Sequence, residues 1–238
     1  MINDKYHRQV LKELKKLKSN SKQKERLWVQ HYLGSDRPSK CIKTSLIKES
    51  AKKFADKNTL SFKEFISLLN SLYKNAISFE EIDFAARLIK ALPKFKQQIN
   101  PKHLDNWLKY THGWAEIDLL CQSNFESQQL LSNWPQWKKI LKEFNKSPEI
   151  SKRRASLVLL TKSLSQSDDP CLSELAFKNI ENLKSEPEVL ITKAVSWLLR
   201  SLIKYHSQEV KKYLNKNQDS LPKIAYRETL RKLNTGRK

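Results

Sequence analysis

The stretch S-F-K-E-F-I-S-L-L-N-S-L-Y-K-N-A-I-S-F-E-E-I-D-F-A-A-R-L-I-K-A-L, residues 61–92, carries two helix starts of the same kind in close succession. Ser61 with Glu64 and Ser78 with Glu81 have the capping-box spacing, in which a hydroxyl takes the amide three residues on and the acid three residues on reaches back. The spacing predicts one helix over 61–73 and a second over 78–92, with no alternating β-branched run between them. A chain that places helix directly after helix here reads the same way in both directions.

Toward the C-terminus, Pro101 opens a helix carrying Leu104, Trp107 and Leu108, and Gly113 separates it from the next. Residues 134–144 with 148–164, and 169–183 with 187–205, form further pairs. Prolines at 101, 135, 148 and 187 fall near first turns, where a missing N–H costs little. Toward the N-terminus, 3–18 is a basic amphipathic helix with Val10, Leu11, Leu14 and Leu17 on its apolar side. Residues 22–33 repeat the pattern with Leu27, Trp28 and Tyr32, and end at Gly34; 35–40 is a turn and 42–56 another helix. From about residue 209 two short basic helices lead to a frayed end. Helix pairs of about 40 residues without strands predict an all-α chain, an α-solenoid of HEAT-like helical repeats with a concave basic face, with a closed bundle as the alternative. The expected organisation is one domain over 1–238, with capping helices over 1–58, a repeat core over 59–205 and basic helices over 206–238.

Composition narrows the class. The chain has 238 residues, 39% of them hydrophobic and 30% charged, and no apolar run near a bilayer's thickness, which excludes disorder and membrane spanning. The start, M-I-N-D-K-Y-H-R, has no signal-peptide core, so the cytoplasm is the expected location. Three scattered cysteines, Cys41, Cys121 and Cys171, with five unclustered histidines, make neither a disulfide set nor a metal site. Lysine and arginine total 46 against 25 acids, a net charge of +21. Such a surplus is self-repulsive and fits a polyanionic partner, most often nucleic acid. Only ten of the cations are arginines, so an arginine in a fixed helical slot is more telling than any one lysine.

In that setting T-H-G-W-A-E-I-D-L-L-C-Q, 111–122, is the candidate centre, because Trp114 and Asp118 stand at i and i+4 and share a helical face. Asp118 to Arg154 is 36 residues and Arg154 to Trp197 is 43, about one repeat each. A carboxylate beside an indole in a basic protein could also be a helix-dipole acid next to a core tryptophan, as Trp28, Trp107 and Trp137 are expected to be core. Glu116, at i+2 from Trp114, reads as a surface charge.

The runs W-A-E-I-D (114–118), R-R-A-S-L-V-L-L (153–160) and K-A-V-S-W-L-L-R (193–200), with H-Y-L-G-S-D-R-P (31–38) ahead of them, resemble in order and spacing the AlkD-type family of DNA alkylation repair glycosylases. The resemblance covers residues 25–215. It implies a HEAT-like solenoid that holds duplex DNA and hydrolyses the N-glycosidic bond of N3- or N7-alkylated purines, in base excision repair. It places Trp114 against the deoxyribose, Asp118 as the catalytic carboxylate and Arg154 beside the lesion's backbone. Trp197 is then the second tryptophan, Arg200 a DNA-contacting arginine and Tyr32 the aromatic of the first segment. Lys152, Arg153 and Lys193 would add attraction for phosphate. No cofactor and no metal are implied, and the enzyme is expected to be a monomer. Two positions depart from the family pattern: Ser151 stands where a tryptophan is frequent, and Ala115 where an acid is. The second function class is a non-catalytic HEAT-repeat protein that binds DNA or an acidic partner. A third, a Schiff-base lyase, needs a desolvated lysine that the sequence does not single out.

Overall fold

The protein is described by a computed structural model over residues 4–19 and 22–237. Among the described residues every regular element is a helix: α1 (Lys5–Lys16), α2 (Gln23–Leu33), α3 (Thr44–Lys57), α4 (Phe62–Asn75), α5 (Phe79–Ala91), α6 (Pro93–Lys96), α7 (Pro101–Leu108), α8 (Gly113–Asn124), α9 (Ser127–Ser132), α10 (Trp134–Asn145), α11 (Ile150–Gln166), α12 (Pro170–Leu183), α13 (Val189–Lys216) and α14 (Lys223–Thr235). The all-α reading holds. None of these helices is long and apolar enough to cross a membrane. The contacts divide the chain once, into a unit up to Asn124 and a unit from Phe125 onward, whereas the sequence reading drew one domain with internal steps at 58 and 205. The short helices α6 and α9 have no counterpart in the sequence pattern; α13 breaks at His206, where φ is −124° and ψ 39°, close to the helix end expected at 205, and the stretch 207–216 with α14 makes up the two basic helices expected beyond it.

In the first unit α5 is the central element, packed against α3, α4 and α8. Phe84, Leu88 and Ile89 of α5 are fully buried with Leu68, Leu72 and Tyr73 of α4. The Ser61 capping box forms, with Glu64 accepting from the Ser61 amide at 3.0 Å. At the second start Glu81 takes the amides of Ile77 and Ser78 at 3.1 and 3.0 Å. Its other oxygen meets His7 Nε2 at 2.9 Å, and Ser71 Oγ lies 2.8 Å from His7 Nδ1. The start signal of α5 thus also anchors α1, through a pair buried from water. Trp107 stacks on Tyr73 at 5.4 Å and donates its N–H to Asn70 at 2.7 Å, which satisfies the one polar atom of a buried indole.

The second unit is built on α11, which packs against α10, α12 and α13, with α14 laid on α13. Trp137 sits against Phe125 at 5.3 Å. Asn145 donates to Ser156 Oγ and to the Asn179 carbonyl at 3.1 and 3.2 Å, so α10, α11 and α12 share one buried polar cluster. Trp107 and Trp137 are core residues as expected, at 0% and 2% exposure. Trp28 is not: it is 65% exposed, with Leu27 at 62% and Tyr32 at 57%. The periodicity over 22–33 correctly gave a helix, but α2 packs mainly on α8 and its aromatic face stays in solvent.

Candidate active site

The candidate centre is built where α2 ends and α8 begins. Gly34 closes α2 in the left-handed region at φ +63°, and Gly113 opens α8 at φ +65°. A Cβ at Gly113 would fall 1.9 Å from the Gly34 carbonyl oxygen and 2.9 Å from that of Leu33. Two glycines therefore meet backbone to backbone, and both need the conformation that side chains disfavour.

This contact sets Trp114, the next residue, beside Tyr32. The indole N–H donates to the Tyr32 carbonyl at 2.7 Å, and the two rings meet edge to face at 5.4 Å. Tyr32 in turn stacks on Trp28 at 5.5 Å with planes 6° apart. Asp118 follows Trp114 by one turn of α8 and is half-buried. Farther along the same helix Cys121 is fully buried.

Glu116 departs from its expected surface place, being fully buried. It accepts from Ser35 Oγ, from Arg37 Nη1 at 2.7 Å and from the His112 amide at 2.9 Å. Arg37 also donates to the carbonyls of Ala76 at 3.2 Å and Tyr110 at 2.8 Å. The turn at 35–40 is bonded through Ser35 and Arg37 to Glu116 near the start of α8. A charge held by an arginine and two further donors is tolerable inside a protein. Sequence inspection missed this because the partners lie some 80 positions apart.

The second unit holds the other expected residues. Lys152 is 8% exposed and pairs with Glu149 at 3.0 Å. Arg153 pairs with Glu186 at 2.7 Å and donates to the carbonyls of Ser147 and Pro148. Arg154, at 4% exposure, donates to the Leu190 carbonyl at the start of α13. Arg200 is bound by Ser196 Oγ and by Glu228 of α14; burial draws its pKa below the usual arginine range, and Glu228 works against that shift. Four cations expected at phosphate are thus engaged by the protein itself: Arg154 fastens α11 to α13 and Arg200 fastens α13 to α14, while Lys152 and Arg153 hold the start of α11 and the segments flanking it. Lys193 is exposed and Trp197, one turn on, is half-buried. Ser151, where a tryptophan is frequent in the family pattern, is buried at 7%. The structure therefore brings together Tyr32, Trp114 and Asp118 in one unit, and Lys152, Arg153 and Arg154 with the α13 start in the other. Among the described residues no three His, Cys, Asp or Glu side chains gather into a metal-binding group.

Helices following helices, with no other regular element among the described residues, define an all-α protein of the helical-repeat class. The sequence profile of the DNA alkylation repair enzymes matches residues 13–233, and the chain belongs to that family. A solved structure, that of a predicted DNA alkylation repair enzyme from Enterococcus faecalis, is similar over 92% of this chain and 99% of its own, with a TM-score of 0.74 and 16% identity. That likeness shows the shared fold. No curated protein matches the chain.

Proposed function

We propose that the protein is a monofunctional DNA glycosylase that hydrolyses the N-glycosidic bond of N3- or N7-alkylated purines in duplex DNA. The observation that carries this reading is the pairing of Trp114 and Asp118 on one face of α8, with the indole locked by its bond to the Tyr32 carbonyl. Membership of a DNA alkylation repair family supports it.

Alkylation at N3 or N7 makes the purine cationic, so the base leaves as a neutral molecule with the glycosidic electron pair and needs no proton. Positive charge then grows on the sugar. Asp118 stabilises that charge and orients a water whose oxygen bonds to C1′, while the water's proton passes to the carboxylate and on to solvent. Trp114 adds cation–π attraction, contributing about 0.5–2 kcal/mol. Arg154, tied to the Leu190 carbonyl, positions the α13 start beside the DNA backbone; Lys193 offers an exposed charge to phosphate. The partner is duplex DNA, bound by a monomer working in the cytoplasm at the nucleoid, and no cofactor takes part.

The test is a duplex with one 7-methylguanine, incubated with wild type and with Asp118→Asn, followed by alkaline cleavage of abasic sites. Wild type should release the base, and the variant should be slower by about 100-fold or more, the loss typical of a removed electrostatic stabiliser. No release by wild type, or equal rates, would overturn the assignment in favour of a binding protein that has kept the fold.

A further inference from the structure

The assigned chemistry uses Trp114 and Tyr32 but leaves their neighbour unexplained. Trp28 is a large apolar side chain 65% exposed on a helix that also leaves Leu27 and Tyr32 exposed, at 62% and 57%. With Tyr32 stacked on it, it forms an exposed aromatic patch of the kind that marks a binding surface. Its ring is nonetheless ordered from behind: Tyr32 lies parallel to it at 5.5 Å, Trp114 meets Tyr32 edge-on at 5.4 Å, and the Trp114 N–H is bonded to the Tyr32 carbonyl. One face of the indole is backed by this ladder and the other is open. The ladder ends one helical turn from Asp118.

We infer that Trp28 is a specificity-determining residue whose open face stacks a nucleobase lifted from the DNA stack beside the lesion. A flat, open, backed aromatic surface fits a flat heteroaromatic ligand, because every base presents a π-face. Charge favours a strand of DNA over an apolar protein partner: Arg26 and His31 are exposed on the same helix, Lys22 precedes it, and the whole chain carries +21. Glu25, the one acid of α2, is turned back onto the Lys22 amide at 3.0 Å. Continuity with Trp114 gives the platform a fixed place relative to the site. An alkylated or missing base weakens the local stack, so the neighbouring base is lifted at least cost there, which would make Trp28 a sensor of damage rather than of sequence. This inference rests on the glycosylase reading for its place in a reaction, but binding tests it alone.

The experiment uses full-length wild type, Trp28→Ala and Trp28→Phe with a duplex holding a tetrahydrofuran abasic analogue beside a 2-aminopurine, a substrate that no glycosylase can cut. Wild type should quench the 2-aminopurine emission by stacking. Trp28→Ala should abolish the quench and weaken binding to this duplex by about ten-fold, with little change for undamaged duplex. Trp28→Phe should retain most of both. The dependence of affinity on salt should be the same in all three, because no phosphate contact is removed. Unchanged quench and affinity in Trp28→Ala would overturn the proposal. So would an equal loss on undamaged duplex, or sedimentation showing a dimer that Trp28→Ala dissociates, since the face would then be covered by a second copy. Failure of the glycosylase reading appears separately, as absent base release from 7-methylguanine DNA while the stacking signal persists.

Discussion

Glu116 and Asp118 sit two positions apart on one helix and are put to opposite uses. Glu116 faces inward, where Arg37, Ser35 and the His112 amide use its oxygens; Asp118 lies on the half-buried side. Glu116→Gln would leave the Arg37 guanidinium without its charge partner, and removing one member of a buried pair costs about 3–5 kcal/mol. A urea denaturation midpoint unchanged by that substitution would refute the role. Asp118→Asn, by contrast, should leave the midpoint close to wild type while removing base release. The difference between the two acids could not be read from the sequence, where spacing made Glu116 a surface charge. Its partners in 35–37 are remote in the chain, and helical periodicity says which residues share a face but not which face is covered. The same blindness applies to Arg200, whose partner Glu228 lies in another helix, and to Trp28, read as core. Trp107 and Trp137 were legible as core because their helices carry broad apolar faces that other helices cover.

At the scale of elements, helix starts were the most legible feature, since their signals are local. Ser61 and Glu64 form the box that their spacing predicts, and Gly113 does open a helix. Its second role, admitting the backbone of Gly34, needed the fold. Gly113→Ala therefore meets two penalties, a strained φ and a Cβ placed 1.9 Å from a carbonyl oxygen; together they should cost about 3 kcal/mol or more. Thermal melting measures the loss, and an alanine variant that melts with wild type would show that α2 and α8 are not joined there. The start of α7 gives a pH dependence. His103 accepts the Asn100 amide at 3.0 Å and stacks on Trp107, and burial lowers its pKa from the ordinary histidine value. The unfolded chain takes up a proton near pH 6.5, the folded chain only at lower pH. The stabilising contribution is therefore complete above about 6.5 and is lost as pH falls toward the folded value. His103→Asn should be less stable than wild type at neutral pH, and the gap should narrow as the solution is acidified. A gap that widens would reverse the assignment.

Across the molecule, a net charge of +21 acts on stability and on binding with opposite signs of salt dependence. Screening relieves self-repulsion, so the melting temperature of the free protein should rise with salt. Affinity for duplex DNA should fall, with a log–log slope of about −0.9 for each phosphate neutralised. A slope near zero would remove phosphate as the partner. Because Lys152, Arg153, Arg154 and Arg200 are engaged within the protein, single substitutions at exposed lysines such as Lys193 should move that slope more than their number in any motif implies. Cys121 brings one last consequence. Reagents that methylate purines also attack thiols, and Cys121 is fully buried on the helix that bears Asp118. The helix must open locally before that sulfur can react, so the rate at which a thiol reagent modifies Cys121 is a clock for the opening of α8. DNA that holds the helix in place should slow the clock.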